Sequence, residues 1–269
     1  VHFISLDSYD SDRSTDGQMY AWCKNDLENT EADWIIAYWH HPPYSKGSHN
    51  SDSESRLVDM RENFLPLLEA NGVDLVLSGH SHSYERSYFL NGHYGTSNSF
   101  DPLIHTVGQT GYGDGKVSGS GAYQKPLSGD MTGQGAVYIT AGSSGKVSDG
   151  DLNHKAMYYS VKALGSCILE IDQDSLKVKF IRETGDIDDF FTIVRSDPDC
   201  LIGDACDDGD ICTEDDVIDN HCECTGVFSD DDGDGICNAM DQCPLFDDSL
   251  IGTACDDGDP CTAEDKYSL

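Results

Sequence analysis

The chain has 269 residues carrying 50 acidic and 16 basic side chains, a formal charge of −34. That length allows one sizeable domain plus a smaller one, and the charge argues against nucleic acid, whose phosphates need Lys and Arg to displace counterions. No apolar run approaches the roughly 20 residues of a membrane-spanning helix, so no transmembrane segment is expected.

Residues 1–196 alternate strand-like and helix-like signals. "VHFISLD" from Val1 reads as a buried strand, short, apolar and ending in polar residues. The chain opens inside that strand pattern with no initiator Met, which reads as a cut start. "DGQMYAWCKNDLENTEA" reads as a helix capped by Asp16, with Met19, Trp22, Cys23 and Leu27 on one face. "DWIIAYWH" is a second strand and "VDLVLSG" a third. Between them "SESRLVDMRENFLPLLEANG" is amphipathic and stops at Gly72, a C-cap candidate. The β-α-β-α-β order predicts a sheet covered by helices. Five further strands are expected in "PLIHTVG", "GAVYITAGSS", "GSCILEID", "SLKVKFIRE" and "DFFTIVR", the first two separated by the glycine-rich loop "GQTGYGDGKVSGSGAY".

From Asp197 the material changes. Residues 197–269 hold 23 acids against one Lys, and nine of the 11 cysteines fall between Cys200 and Cys261. The recurrent spacing is Cys-x5-Cys, without the paired CxxC knuckles of a zinc ribbon, so a disulfide framework and an oxidising compartment are expected. "IGDACDDGDICTEDD" from Ile202 recurs as "IGTACDDGDPCTAED" from Ile251. No strand or helix period is visible in this tail. Asp230, Asp232, Asp234 and Asp241 occupy positions 1, 3, 5 and 12 of a D-x-D-x-D-G-x5-D loop, with the carbonyl of Ile236 at position 7. That spacing wraps oxygen ligands around Ca²⁺.

Functional residues of open α/β sheets sit just past the C-terminal ends of strands. "DWIIAYWHHPPY" puts His40 there, and "VDLVLSGHSHSYER" adds His80 and His82, with Gly79 expected to let the backbone turn. Imidazoles on two neighbouring loops suit a transition-metal site, and two of them one residue apart could address two metals.

Together, "HHPPYSKGSH" and "GHSHSYER" resemble the calcineurin-like metallophosphoesterases, within them the purple acid phosphatase branch, over roughly Val1 to Arg195. The resemblance implies an α/β fold, part of a β-sandwich flanked by helices, followed by an irregular tail held by disulfides and calcium. It also implies a division at 1–196 and 197–269. His40 and His80 then match ligands of one metal, and His82 a ligand of the other, in a dinuclear centre of Fe with Zn, Mn or Fe. His49 matches a residue that contacts phosphate or protonates the leaving group, while Asn50 stands where some members have a second His. The early Asp, GDxxY and GNHE segments of the family are not in these 269 residues. The expectation is therefore the C-terminal part of a catalytic domain, inactive alone.

The tail segment with "CPLFDD" after it resembles a thrombospondin type 3 repeat. The functional expectation is a secreted or cell-surface phosphomonoester hydrolase whose tail associates with the surface. The alternatives are a phosphodiesterase or nucleotidase, or a calcium-dependent adhesive or spacer protein with an inert phosphoesterase-like region.

Overall fold

A computed structural model describes residues 1–107, 114–127, 133–196, 203–219 and 223–241. Val1–Pro198 and Asp199–Leu269 are two separate units. In the first, the strands are β1 (His2–Ser5), β2 (Ile35–Trp39), β3 (Leu75–Ser78), β4 (Tyr84–Ser87), β5 (Tyr123–Pro126), β6 (Val137–Ala141), β7 (Met157–Val161), β8 (Gly165–Ile171), β9 (Ser175–Arg182) and β10 (Ile187–Ser196). They form a six-stranded sheet ordered β1-β2-β3-β6-β4-β7 and a four-stranded sheet ordered β5-β10-β9-β8.

Strands β1, β2, β3 and β6 run parallel, and parallel neighbours need crossover connections. Helix α1 (Gln18–Glu28) crosses from β1 to β2. The second crossover is one continuous helical stretch: α2 (Ser55–Asp59), a π-turn (Met60–Phe64) and α3 (Leu65–Ala70). Pro66 has no N–H to bond the carbonyl of Glu62, so the ladder widens just upstream of it. The helix then ends as the sequence reads it. Gly72 takes φ +75°, its N–H donates to the Glu69 carbonyl, and the Val73 N–H donates to that of Leu68.

Alternation along the strands makes two cores. Ile35, Ala37, Val76 and Tyr138 meet Cys23, Leu27, Met60, Phe64 and Leu68 from the helices. Trp34, Ile36, Leu75, Val137 and Ile139 point the other way, onto Val178, Phe180, Phe191 and Ile193 of the second sheet. The result is a β-sandwich with helices on one face, the α/β architecture expected from sequence.

Several local expectations are corrected. Gly17, not Asp16, precedes α1, and no side chain caps it. The chain enters through a turn so tight that a Cβ at Gly17 would lie 3.0 Å from the Asp12 carbonyl oxygen. Met19, Cys23 and Leu27 do share the inner face at i, i+4 spacing, but Trp22 falls off that stripe and is 49% exposed. "PLIHTVG" is not a strand. Pro102 at the first position and the Asp101 carboxylate, which accepts from the Leu103 N–H at 3.0 Å, start a short helix, α4 (Pro102–His105). Strands β4, β5 and β7 carry no clear sequence signal. The first part of the glycine-rich loop, 108–113, and the second copy of the tail repeat lie outside the described residues.

The tail contains a hairpin that the sequence pattern does not announce: β11 (Thr213–Ile218) and β12 (Cys224–Phe228), antiparallel with a bulge between Glu214 and Val217. Disulfides Cys206–Cys224 and Cys212–Cys237 tether this hairpin to its flanks. Covalent links stand in for an apolar core here, so hydrophobic periodicity has nothing to report.

Candidate metal centre

His40 and His41 follow β2 directly, and Gly79 and His80 follow β3, its in-register neighbour. The two strand ends are tied by the Gly79 N–H donating to the His40 carbonyl at 3.0 Å. Gly79 is not the sharply turned residue. His80 is, with φ +59° in a three-residue turn closed by Ser81 N–H to the Gly79 carbonyl at 2.6 Å. A left-handed non-glycine residue costs on the order of 1–3 kcal/mol and persists only where surrounding bonds enforce it. The strain aims the His80 ring back at β2.

That ring meets three others. His40 Nε2 is 3.0 Å from His80 Nδ1. His41 lies 4.5 Å and His49 3.6 Å from His80, between ring centroids, the latter stacked. Donor atoms of His40, His41 and His80 all lie within 4.8 Å of one another, as do those of His49, Glu54 and His80. Burial, and then the neighbouring imidazoles, push His80 down to about 4 and lower His40 from its ordinary value. Both rings are therefore neutral near pH 7, the state in which imidazole binds a metal.

His82 stands apart from those two groups. Its backbone N–H donates to Ser48 Oγ at 3.0 Å, and its Nδ1 pairs with Ser148 Oγ at 3.0 Å. With Nδ1 engaged, Nε2 is the ligating atom available.

Sequence reasoning missed the residues that hold these rings. Glu54 Oε2 is 2.8 Å from His49 Nδ1 while its Oε1 accepts from the Asn50 N–H at 2.6 Å, so one carboxylate orients ring and loop together. Glu85, fully buried, accepts from Ser45 Oγ (2.6 Å), Ser83 Oγ (2.8 Å) and the Lys46 N–H (3.0 Å). It fastens the loop leading to His49 onto the segment carrying His80 and His82. The rest of the "SYER" run is structural: Arg86 makes a two-bond pair with Asp189 of β10, and Tyr84 donates to the same carboxylate. His41 pairs with Ser8 Oγ at 2.9 Å, inside the protein.

The donor set fits a transition metal. Two ligands at the roughly 2.1 Å bond length of a metal-bound imidazole lie about 3.0–3.4 Å apart for angles of 90° to 110°. The His40–His80 separation of 3.0 Å falls in that range.

In the tail, Asp230, Asp232 and Asp234 offer oxygens within 4.8 Å of one another. Asp230 accepts from the Gly233 and Gly235 N–H groups, and Asp234 from that of Ile236. Gly233 and Gly235 have φ of +77° and +91°, which lets the loop curl around this point. Burial, and then the charges of Asp234, Asp241 and Asp230, raise the Asp232 carboxyl above its ordinary value.

Residues 1–84 match the family of calcineurin-like phosphoesterases. Purple acid phosphatase 18 of Arabidopsis thaliana is 38% identical over 120 residues, covering 43% of this chain and 26% of that protein. Purple acid phosphatase 22 of the same plant is 31% identical over 132 residues, covering 48% of this chain and 28% of its own. The chain thus spans about a quarter of the length of these curated relatives. Among solved structures, a purple acid phosphatase from yellow lupin (Lupinus luteus) seeds superposes with a TM-score of 0.50 at 19% identity, over 76% of this chain and 32% of that one. That likeness supports the fold. Residues 1–84 carry the calcineurin-like phosphoesterase match, and purple acid phosphatases are relatives of this chain.

Proposed function

We propose that the chain carries the histidine-rich part of a dinuclear metallophosphoesterase centre and takes part in phosphomonoester hydrolysis of the acid phosphatase type. The observation that carries this reading is the 3.0 Å approach of His40 Nε2 to His80 Nδ1 from two adjacent strand ends. A centre of Fe with Zn, Mn or Fe would polarise the phosphoryl oxygens and supply the nucleophile. His40 and His80 hold one metal position as neutral imidazoles, and His82 serves the other. His49, oriented by Glu54, gives its proton to the departing alkoxide. The cleft beside them, about 230 Å³, gives the ester its place.

The tail binds Ca²⁺ through Asp230, Asp232, Asp234 and Asp241 with the carbonyl of Ile236, in the manner of a thrombospondin type 3 repeat. The gathering of three of those carboxylates supports this. The disulfides Cys206–Cys224 and Cys212–Cys237 support an oxidising compartment, hence secretion or display on a cell surface. No helix among the described residues is long and apolar enough to cross a membrane.

The catalytic reading is tested on the natural full-length protein with p-nitrophenyl phosphate. Chelation should abolish turnover, and His80→Ala should lower it by at least about a hundredfold. Turnover that survives both would overturn the reading.

A further inference from the structure

His49 rides on a loop that is closed on itself. At its base the Ser51 N–H donates to the Ser45 carbonyl at 3.1 Å, and the Ser45 N–H donates to Ser51 Oγ at 3.0 Å. One residue on from each, Lys46 Nζ pairs with Asp52 Oδ2 at 2.7 Å, with 18% and 16% of the two side chains exposed. Lys46 stands three residues before His49 and Asp52 three after it.

Asp52 fastens this loop to the chain beyond β4. Its Oδ1 accepts from the Ser97 N–H at 2.7 Å and its Oδ2 from Ser97 Oγ at 2.5 Å. Burial pushes its carboxyl up, but the bonds from Lys46 and Ser97 outweigh this and hold it at about 2, so it is ionised at neutral and mildly acid pH. His154 Nε2 lies 3.9 Å away, but burial above all holds that ring down to about 3. Of these two bases, Lys46 therefore carries the counter-charge.

The Lys46 backbone is tied on both sides. Its N–H donates to Glu85 Oε2 at 3.0 Å, and its carbonyl accepts from the Leu152 N–H at 2.8 Å. Beside His49, Ser48 Oγ accepts from the His82 N–H at 3.0 Å. Glu54 holds the His49 ring through Nδ1, which sets how the ring is turned but not where the loop carries it. The charged link between Lys46 and Asp52 draws the two arms together across His49 and anchors them at Ser97. A part-buried pair with further hydrogen bonds on its carboxylate holds geometry better than an exposed one.

We propose that Lys46 and Asp52 are positioning residues for His49, their ion pair setting its distance from the departing oxygen. The proposal rests on the phosphoesterase reading for the role of His49. Its consequence depends on the ester. An alkyl phosphate leaves as a strongly basic alkoxide that needs the proton, whereas p-nitrophenolate departs readily without it. A displaced His49 therefore penalises the first ester and spares the second, while a general loss of structure penalises both alike.

The test compares kcat of the natural full-length protein on ethyl phosphate and p-nitrophenyl phosphate. Asp52→Asn should lower it at least about tenfold on ethyl phosphate and less than about threefold on p-nitrophenyl phosphate, with KM for both nearly unchanged. Asp52→Glu keeps the charge and should restore part of the difference. Independently of turnover, amide hydrogen exchange over residues 45–52 of the full chain should quicken at least about fivefold in Asp52→Asn, with β2 and β3 unchanged. If Asp52→Asn melts well below the parent, Lys46→Met, which keeps the aliphatic stem, carries the comparison. Equal losses on the two esters, no loss on either, or unchanged exchange over 45–52 overturns the proposal. The role of His49 itself fails on a separate result, His49→Asn losing both esters equally, and the proposal falls with it.

Discussion

Gly47→Ala should disrupt the junction that supports the histidines. A Cβ at this position would lie 2.3 Å from both Ser81 Oγ and Ser83 Oγ and 3.0 Å from Glu85 Oε1. Gly150 crowds the loop on the other side, since a Cβ there would sit 2.0 Å from the Gly47 carbonyl oxygen. Relief therefore requires the Ser81 and Ser83 hydroxyls to rotate away and the Glu85 carboxylate to shift, which costs Glu85 its bond from Ser83 Oγ and strains those from Ser45 Oγ and the Lys46 N–H. Overpacking costs about 1–3 kcal/mol and a buried acceptor left short of donors about 1–3 kcal/mol. A total near 3 kcal/mol corresponds, for a unit of this size, to a fall of roughly 6–12 °C in melting temperature. The same shift displaces His49, so the variant should bind Zn²⁺ more weakly as well. Thermal unfolding by circular dichroism reads the first effect and a metal titration the second. A melting temperature within about 2 °C of the parent would refute the reasoning, because close approach would then have been absorbed at no cost.

Acid should destabilise the first unit. His154 and His93 are buried, and burial above all holds them down, to about 3 and about 4. Unfolded, each titrates near 6.5, so between pH 6.5 and about 4 the unfolded chain binds more protons and stability falls as pH drops, by about 2–3 kcal/mol per pH unit in mid-window. Urea midpoints at pH 7 and pH 5 should differ accordingly, and equal midpoints would contradict the burial argument. Asp189→Asn leaves Arg86, 0% exposed, without its counter-charge and should cost about 3–5 kcal/mol; a change below about 1 kcal/mol in urea unfolding would show that this pair does not join the sheets. Asp232→Ala should remove calorimetric Ca²⁺ binding in the tail, while heats equal to the parent's would rule the loop out.

How far the site was legible follows from what sets each part. Strand ends β2 and β3 are announced by apolar runs that stop at polar residues, and His40 and His80 follow from them. Their convergence needs only that the two strands are parallel neighbours. Glu54 could have been suspected, five residues after His49 at the start of an amphipathic run, though nothing in that spacing shows which nitrogen it holds. Gly79 misled for a physical reason: glycine permits a left-handed turn, but here the hydrogen bond from Ser81 forces it onto His80. "PLIHTVG" misled because an Asp-Pro helix start outweighed an apolar pattern whose Leu103 and Ile104 stay exposed. Gly47, Gly142 and Gly150 are invisible as a set, since their close approaches join segments far apart in sequence, Gly47 to Ser81 and Ser83, Gly142 to Ser81, and Gly150 to Gly47.

The central claim is that His40 and His80 share a metal ion. It is tested most directly by the Zn²⁺ affinity of the chain, measured by calorimetry in the parent, His40→Ala, His80→Ala and the double variant. The account predicts a loss of at least about tenfold in each single variant, and a double variant little worse than either, because two ligands of one ion act as a unit. Affinity unchanged in either single variant, or losses that simply add, would contradict it.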